Sequence, residues 1–280
     1  METKMKITAS QVNDLRKKTG AGMMDCKKAL VEAEGDEQTA IDLLRKKGQK
    51  VAAKRGDNET TEGLVISKVY NDGSTGVILS LSCETDFVAK NDDFYAFVEK
   101  LVDRAAETKV SEAEAFMNEK FDDQLSVAEK ITEQIGVIGE KLTVSNLGRI
   151  EAASVVAYNH PGNQIASLVG LTKNSEAAKD AGKQVAMQIA AMAPLALNKE
   201  GIDQNTIDRE IEIGKELAIQ EGKPEEMAEK IAMGRLGKFF KENTLLSQPF
   251  LKDNKKSVEQ FLNETESGLT VSDFKRVALK

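Results

Sequence analysis

Histidine is nearly absent from this sequence of 280 residues: His160 is the only one. A His-based metal cluster is therefore excluded, and so is a duplicated site built on a His-paired Ser or Cys nucleophile. Cysteine is almost as scarce. Cys26 and Cys83 lie in different segments and neither belongs to a CxxC pair. Reduced thiols in a cytoplasmic protein are the plain expectation. Long apolar runs are missing too, and none approaches the roughly 20 residues needed to cross a bilayer. Met1-Glu2-Thr3-Lys4-Met5-Lys6 leads straight into a polar helix start, so no signal peptide is expected. There is no GxxxxGK[ST], no GxGxxG and no HExxH. Paired acids are so common among 46 Asp/Glu that none stands out as catalytic. The expectation is a protein that is not an enzyme, with no catalytic residues, no metal and no cofactor.

What is present is a sequence with 40% hydrophobic and 30% charged residues. That balance suits ordinary buried cores, and the length suits about two domains. The net charge of -7 is uneven: residues 1–56 hold 13 Lys/Arg against 8 Asp/Glu, hence +5, and the remainder holds 26 against 38, hence -12. An acidic remainder repels a phosphate backbone. The basic start suits an acidic protein or RNA, or is simply a solvated helical surface.

Residues 6–48 read as three short helices. Thr8 and Gln11 form a capping box, in which side chain and backbone satisfy each other's free donors. Gly20-Ala21-Gly22 breaks the first helix. The second carries Met23, Cys26, Leu30 and Ala33 on one stripe, and Asp36 caps the third, which carries Ala40, Ile41 and Leu44. Residues 54–60, Lys-Arg-Gly-Asp-Asn-Glu-Thr, read as a linker. From residue 63 the period changes to two. Gly63 to Tyr70 and Gly76 to Leu81 alternate around Asn71-Asp72-Gly73-Ser74, which is hairpin chemistry. A helix with Phe94, Phe97, Leu101 and Ala105 comes next. The plan returns at 150–193, with strands over 150–159 and 165–171 and a helix through Ala178, Val185 and Ile189. An offset of 88 residues superposes Tyr70-Asn71 on Tyr158-Asn159 and Leu101 on Ile189, which suggests an internal duplication. Residues 111–137 read as helical, with boxes at Ser111/Glu114 and Ser126/Glu129. Gly222-Lys223-Pro224 separates helices over about 204–221 and 225–241, an antiparallel hairpin in which Ile207, Ile211, Leu217 and Ala218 face Met227, Ile231, Leu236 and Phe239. Ser257/Gln260 opens another helix, and 269–277 gives a weak final strand.

Four places invite a functional reading. Thr85-Asp86-Phe87-Val88 leaves the second strand before its helix, with two apolar residues on what should be a polar connection. Either Phe87 tucks under the hairpin and Asp86 caps a turn, or Phe87 is an exposed wedge beside an acid. His160 sits in the second hairpin turn, where an isolated histidine is ordinarily solvated. Met23 and Met24 fit a core or an adaptable contact surface. Lys27 and Lys28 fit a solvated face.

Thr19-Gly20-Ala21-Gly22-Met23-Met24-Asp25-Cys26-Lys27-Lys28-Ala29-Leu30 closely resembles the N-terminal signature of the elongation factor Ts family. Cys83-Glu84-Thr85-Asp86-Phe87-Val88-Ala89-Lys90 resembles its second signature. Tyr158-Asn159-His160, Gly222-Lys223-Pro224 and Ser247-Gln248-Pro249-Phe250 come after it in the family's order. The resemblance implies an α+β fold: a ubiquitin-associated-like three-helix domain over 1–56, then two related α+β subdomains over 57–149 and 150–280, the second with an inserted helical hairpin over about 204–241. It implies a guanine nucleotide exchange factor for the GTPase elongation factor Tu. Thr85, Asp86, Phe87 and Val88 would disturb that partner's magnesium site, and Lys27 and His160 would be further contacts. Longer members continue into a C-terminal helical module, whereas this sequence runs to Val277-Ala278-Leu279-Lys280, so the resemblance does not carry that module's contacts over. The rival expectation is an RNA-binding translation accessory protein using the basic segment. The acidic remainder argues against direct nucleic-acid binding.

Overall fold

The computed structural model describes residues 7–279, so the expectations for Met1–Lys6 and for Lys280 lie outside the described residues. Local capping sets the first three helices. α1 (Ala9–Thr19) opens on the Thr8/Gln11 box, with Gln11 N donating to Thr8 Oγ1 and Thr8 N to Gln11 Oε1. It ends at Gly20, whose φ of 70° lies in the left-handed region that glycine tolerates. α2 (Met23–Glu32) comes next, and α3 (Glu37–Lys54) is capped by Asp36, which accepts from Thr39 N at 2.8 Å. Val12, Leu15, Ala21, Cys26, Ala29, Leu30, Ala33 and Ala40 form their shared core. Met23 departs from the expected stripe and is exposed, whereas Ala21 in the preceding turn is buried in the core.

α3 also runs past residue 48. Gly48 is buried mid-helix, where a Cβ would stand 2.9 Å from Thr132 O. Across from it, a Cβ on Gly136 would stand 2.6 Å from the Gly48 Cα. The two glycines let α3 and α7 (Val127–Ile138) cross with backbones almost touching.

β1 (Glu62–Tyr70), β2 (Thr75–Cys83) and β3 (Thr143–Glu151) form one sheet in the order β1-β2-β3. Asn71 and Asp72 turn the hairpin with φ of 52° and 55°, which these residue types accept more readily than most. β2 is buried along its whole length, so its alternation does not divide core from solvent: Ser80 and Ser82 are buried and meet Asn146 and Ser145 of β3. β3 departs from the expectation of a single strand starting at 150. The strand begins seven residues earlier, and the chain breaks between β3 and β4 (Ser154–Asn159).

α4 (Asp86–Ala89) and α5 (Asp92–Thr108) come after β2, with Phe94, Phe97, Leu101 and Ala105 of α5 buried as their spacing demands. α6 (Ala113–Met117) is only five residues long and has no side-chain cap, so the expected Ser111/Glu114 box does not form. The Ser126/Glu129 box does, at the start of α7.

The hairpin-plus-helix plan recurs in β4, β5 (Ile165–Leu171) and α8 (Glu176–Met192). α9 (Gln204–Gln220), α10 (Glu225–Asn243), β6 (Pro249–Phe250), β7 (Asp253–Ser257), α11 (Val258–Thr265) and β8 (Val271–Ala278) complete the chain. β4-β5-β8 is antiparallel, pairing Tyr158 with Ser167 and Val169 with Phe274. Both hairpins thus gain a third strand on the same partner, the second of the pair. Val169, Leu171, Val185, Ile189, Val258 and Leu262 fill the core beneath, with Phe250 stacked on Phe261 at 3.9 Å.

α9 and α10 are antiparallel neighbours, and the expected seam holds at Ala218 and Leu236, both buried, while Gly214, Ala228 and Ala232 join it. Gly214 and Ala218 face Ala228 and Ala232, and a Cβ on Gly214 would stand 3.1 Å from Ala232 Cα. Small residues draw the axes together, and Leu217 and Met227, expected inside, flank the seam and are exposed. Pro224 stands at the N-cap of α10, just before the first helical turn.

The fold is α+β, and its contacts divide the described chain into two units. The first comprises the residues up to Ile66 with Leu79–Leu147 and Leu279; the second comprises Ser67–Ile78 with Gly148–Ala278. Among the described residues no helix is long and apolar enough to cross a membrane.

Candidate functional site

A fully buried strand delivers the chain to this site. β2 ends at Cys83, whose thiol is pushed up to about 12, mainly by burial and then by the negative charge of Glu140. The thiol stays protonated and donates to Thr85 O at 3.2 Å. Residues 85–88 do not form the extended connection expected between strand and helix. They make one turn of helix, α4, with Thr85 at its N-cap.

No residue of α4 is buried. Phe87 is 83% exposed, more than any other large apolar side chain among the described residues. It does not tuck under the hairpin. Val88 is half-buried behind it. Asp86, also exposed, accepts from Lys90 Nζ at 2.6 Å one helical turn on. That hydrogen bond and the ammonium charge hold the Asp86 carboxyl below its usual range and raise Lys90. The turn therefore presents a bare phenyl ring next to an ionised acid.

Two carboxylates grip its base. Glu140 accepts from Glu84 N at 3.1 Å, Thr85 N at 3.0 Å and Thr85 Oγ1 at 2.6 Å. Glu84 accepts from Lys141 N at 2.6 Å, Arg55 Nη1 at 2.7 Å and Asn58 Nδ2 at 2.8 Å. Burial works to raise the Glu84 carboxyl, and the donors from Lys141, Asn58 and Arg55 together outweigh it, so it lies below the usual range. Lys141 Nζ also donates to Gly56 O at 2.6 Å and Asn58 O at 2.9 Å. The polar run expected to be a linker is thus helical up to Lys54 and pinned beyond it. Sequence reasoning passes over Arg55, Asn58, Glu140 and Lys141. Their only signal is ordinary charge, and Glu140 lies 55 residues from Thr85.

Lys27 lies in the same unit, exposed on α2. Met23, Met24 and Val31 are exposed beside it, at helical spacing. His160 belongs to the second unit, in the turn between β4 and β5. It is exposed, its Nδ1 lies 2.9 Å from Tyr158 Oη, and its backbone closes the turn by donating to Ile165 O. Among the described residues no group of three or more His, Cys, Asp or Glu side chains is placed to hold a metal ion. An open cavity of about 530 Å³ in the second unit is lined by Pro194, Leu195, Phe274 and Arg276 among others, and by none of the residues singled out from the sequence.

Comparison with known proteins bears on the whole chain. Residues 84–280 match the family model described as elongation factor TS. The elongation factor Ts of Christiangramia forsetii is 55% identical over 274 residues, covering 98% of this chain and 99% of that protein. That of Amoebophilus asiaticus is 50% identical over 274 residues, with the same coverage. That of Flavobacterium psychrophilum is 48% identical over 273 residues, covering 98% of each.

Proposed function

The chain belongs to the elongation factor Ts family, whose role lies in translation elongation, and from that premise we propose that it is a cytoplasmic guanine nucleotide exchange factor for elongation factor Tu. The observation that carries this reading is the bare Phe87 ring beside Asp86 on a turn with no buried residue. A phenyl group left in water is unfavourable by the area it exposes, and burying it in a partner recovers that free energy.

A GTPase holds GDP largely through its phosphate loop and a magnesium ion bridging phosphate and protein oxygens. Nanomolar binding corresponds to roughly 12 kcal/mol, which makes unaided release slow. The exchange factor forms and breaks no covalent bond. It binds the nucleotide-free partner better than the GDP-bound one, and by reciprocity it weakens GDP by the factor by which GDP weakens it. Phe87 enters between partner helices, and Asp86, Thr85 and Val88 accompany it against the phosphate and magnesium site. Lys27, with Met24, provides a docking surface on the basic N-terminal helices, and His160 a further contact on the second unit. Neither a cofactor of its own nor nucleic acid takes part.

The test is the release of fluorescent GDP from elongation factor Tu, measured with and without a small amount of this protein. A large acceleration is expected, and an unchanged rate contradicts the reading.

A further inference from the structure

Four residues are too few to hold a helical turn by themselves, because nucleation costs more than so short a ladder returns. Packing holds α4 only weakly, since Val88 and Ala89 are half-buried and none of its residues is fully buried. Its direction, and with it the position of Phe87, is set from outside. A threonine at an N-cap normally turns its hydroxyl onto the free amides of its own first turn. Thr85 does not: its side chain makes no cap and donates to Glu140 at 2.6 Å instead. The two donors at the mouth of the turn, Glu84 N and Thr85 N, go to the same carboxylate. The neighbouring residues return the contact, Lys141 N donating to Glu84 at 2.6 Å. Thr85 O, the remaining polar group of that residue, takes the Cys83 thiol and Ala89 N. Residues 84–85 and 140–141 therefore form a reciprocal latch, and Glu84 extends it to Arg55 at the end of α3.

We infer that Glu140 is a positioning residue for nucleotide exchange: its carboxylate, by taking both amides and the Thr85 hydroxyl, fixes where α4 begins and hence where Asp86 and Phe87 stand. The inference rests on the exchange reading of Asp86 and Phe87. Glu140 itself touches neither of them. It matters because a displacement of about an ångström in a group that must enter a partner can cost roughly a hundred-fold in rate.

Glu140→Ala removes both acceptor oxygens and with them all three hydrogen bonds. The expected result is a fall of about ten-fold or more in the saturated rate of fluorescent GDP release from elongation factor Tu. The half-saturating concentration should change little, because the docking surface on α2 is untouched. Glu140→Gln keeps an oxygen for the amides and offers an N–H to the Thr85 hydroxyl, so it should recover most of the rate. Thr85→Val removes one arm of the latch. It should slow the saturated step on its own and add little in the Glu140→Ala background. In the isolated protein, amide hydrogen exchange at Thr85 should speed up in Glu140→Ala.

A saturated rate in Glu140→Ala equal to that of the unaltered protein overturns the inference. So does a loss of rate that merely tracks a loss of folded protein and is not recovered by Glu140→Gln. Should Glu140→Ala fail to fold, Thr85→Val decides, and an unchanged saturated rate overturns the inference. If the unaltered protein itself does not accelerate release, it is the exchange reading that fails. The latch is then judged by Thr85 amide exchange, which needs no partner; an unchanged rate at that amide in Glu140→Ala overturns it as well.

Discussion

Phe87 separates two accounts of one residue, of which the sequence alone favours the buried one. A core phenylalanine truncated to alanine costs about 3–5 kcal/mol. A side chain 83% exposed sits where substitutions stay within about 0.5 kcal/mol. Phe87→Ala is therefore expected to leave the melting temperature nearly unchanged while slowing saturated GDP release. Asp86→Ala should likewise spare folding, since its partner Lys90 is exposed and such ion pairs contribute little. Its effect on exchange should be the smaller, unless the acid is desolvated in the complex. Melting curves and saturated release rates of both variants check this, and a large stability loss in Phe87→Ala would return the ring to the core.

At the scale of elements, glycine shows why the same residue type has opposite meanings. Gly48 and Gly237 both lie inside helices, α3 and α10, where alanine is the better helix former by about 1 kcal/mol. Around Gly237 there is open space, so Gly237→Ala should stabilise by up to that amount. Around Gly48 a methyl group would stand 2.9 Å from the backbone oxygen of Thr132. Gly48→Ala should force α3 and α7 apart and destabilise by about 1–3 kcal/mol despite its propensity. Urea denaturation of the two variants measures the contrast. Equal signs would mean that the close crossing does not exist.

For the whole molecule the question is how docking and exchange divide. Removing residues 1–56 looks like the natural test, but α3 packs on α7, and Arg55 grips Glu84. Such a truncation takes Arg55 from the latch and uncovers α7, so it confounds docking with stability. Surface changes avoid this, because Met24 and Lys27 stand exposed on α2. The double substitution Met24→Ala, Lys27→Ala should raise the half-saturating concentration for exchange by about ten-fold, in line with the loss of one modest contact cluster. The saturated rate and the melting temperature should hold. A lower saturated rate at unchanged half-saturation would reverse the assignment.

Several features were legible in the sequence because their causes are short-range. The Thr8/Gln11, Ser126/Glu129 and Ser257/Gln260 boxes each need only four residues. The period-two runs, the α5 stripe through Phe94, Phe97 and Leu101, and the break at Gly222-Lys223-Pro224 are equally local. The two long signatures carried the family. What the tertiary structure alone decided are pairings between distant segments. The Ser111/Glu114 pattern matches the formed Ser126/Glu129 box letter for letter, yet the chain there makes only a five-residue helix with no side-chain cap. The α9–α10 seam kept the expected Ala218 and Leu236 but took Gly214, Ala228 and Ala232 in place of Leu217 and Met227, because closeness of approach outweighed side-chain size. Ser80 and Ser82 became interior when β3, arriving from residue 143, covered β2. The exposure of Phe87 and the grip of Glu140 on Thr85 belong to the same class. A sequence states which groups can be buried or bonded, and only the folded chain settles which segment arrives to do it.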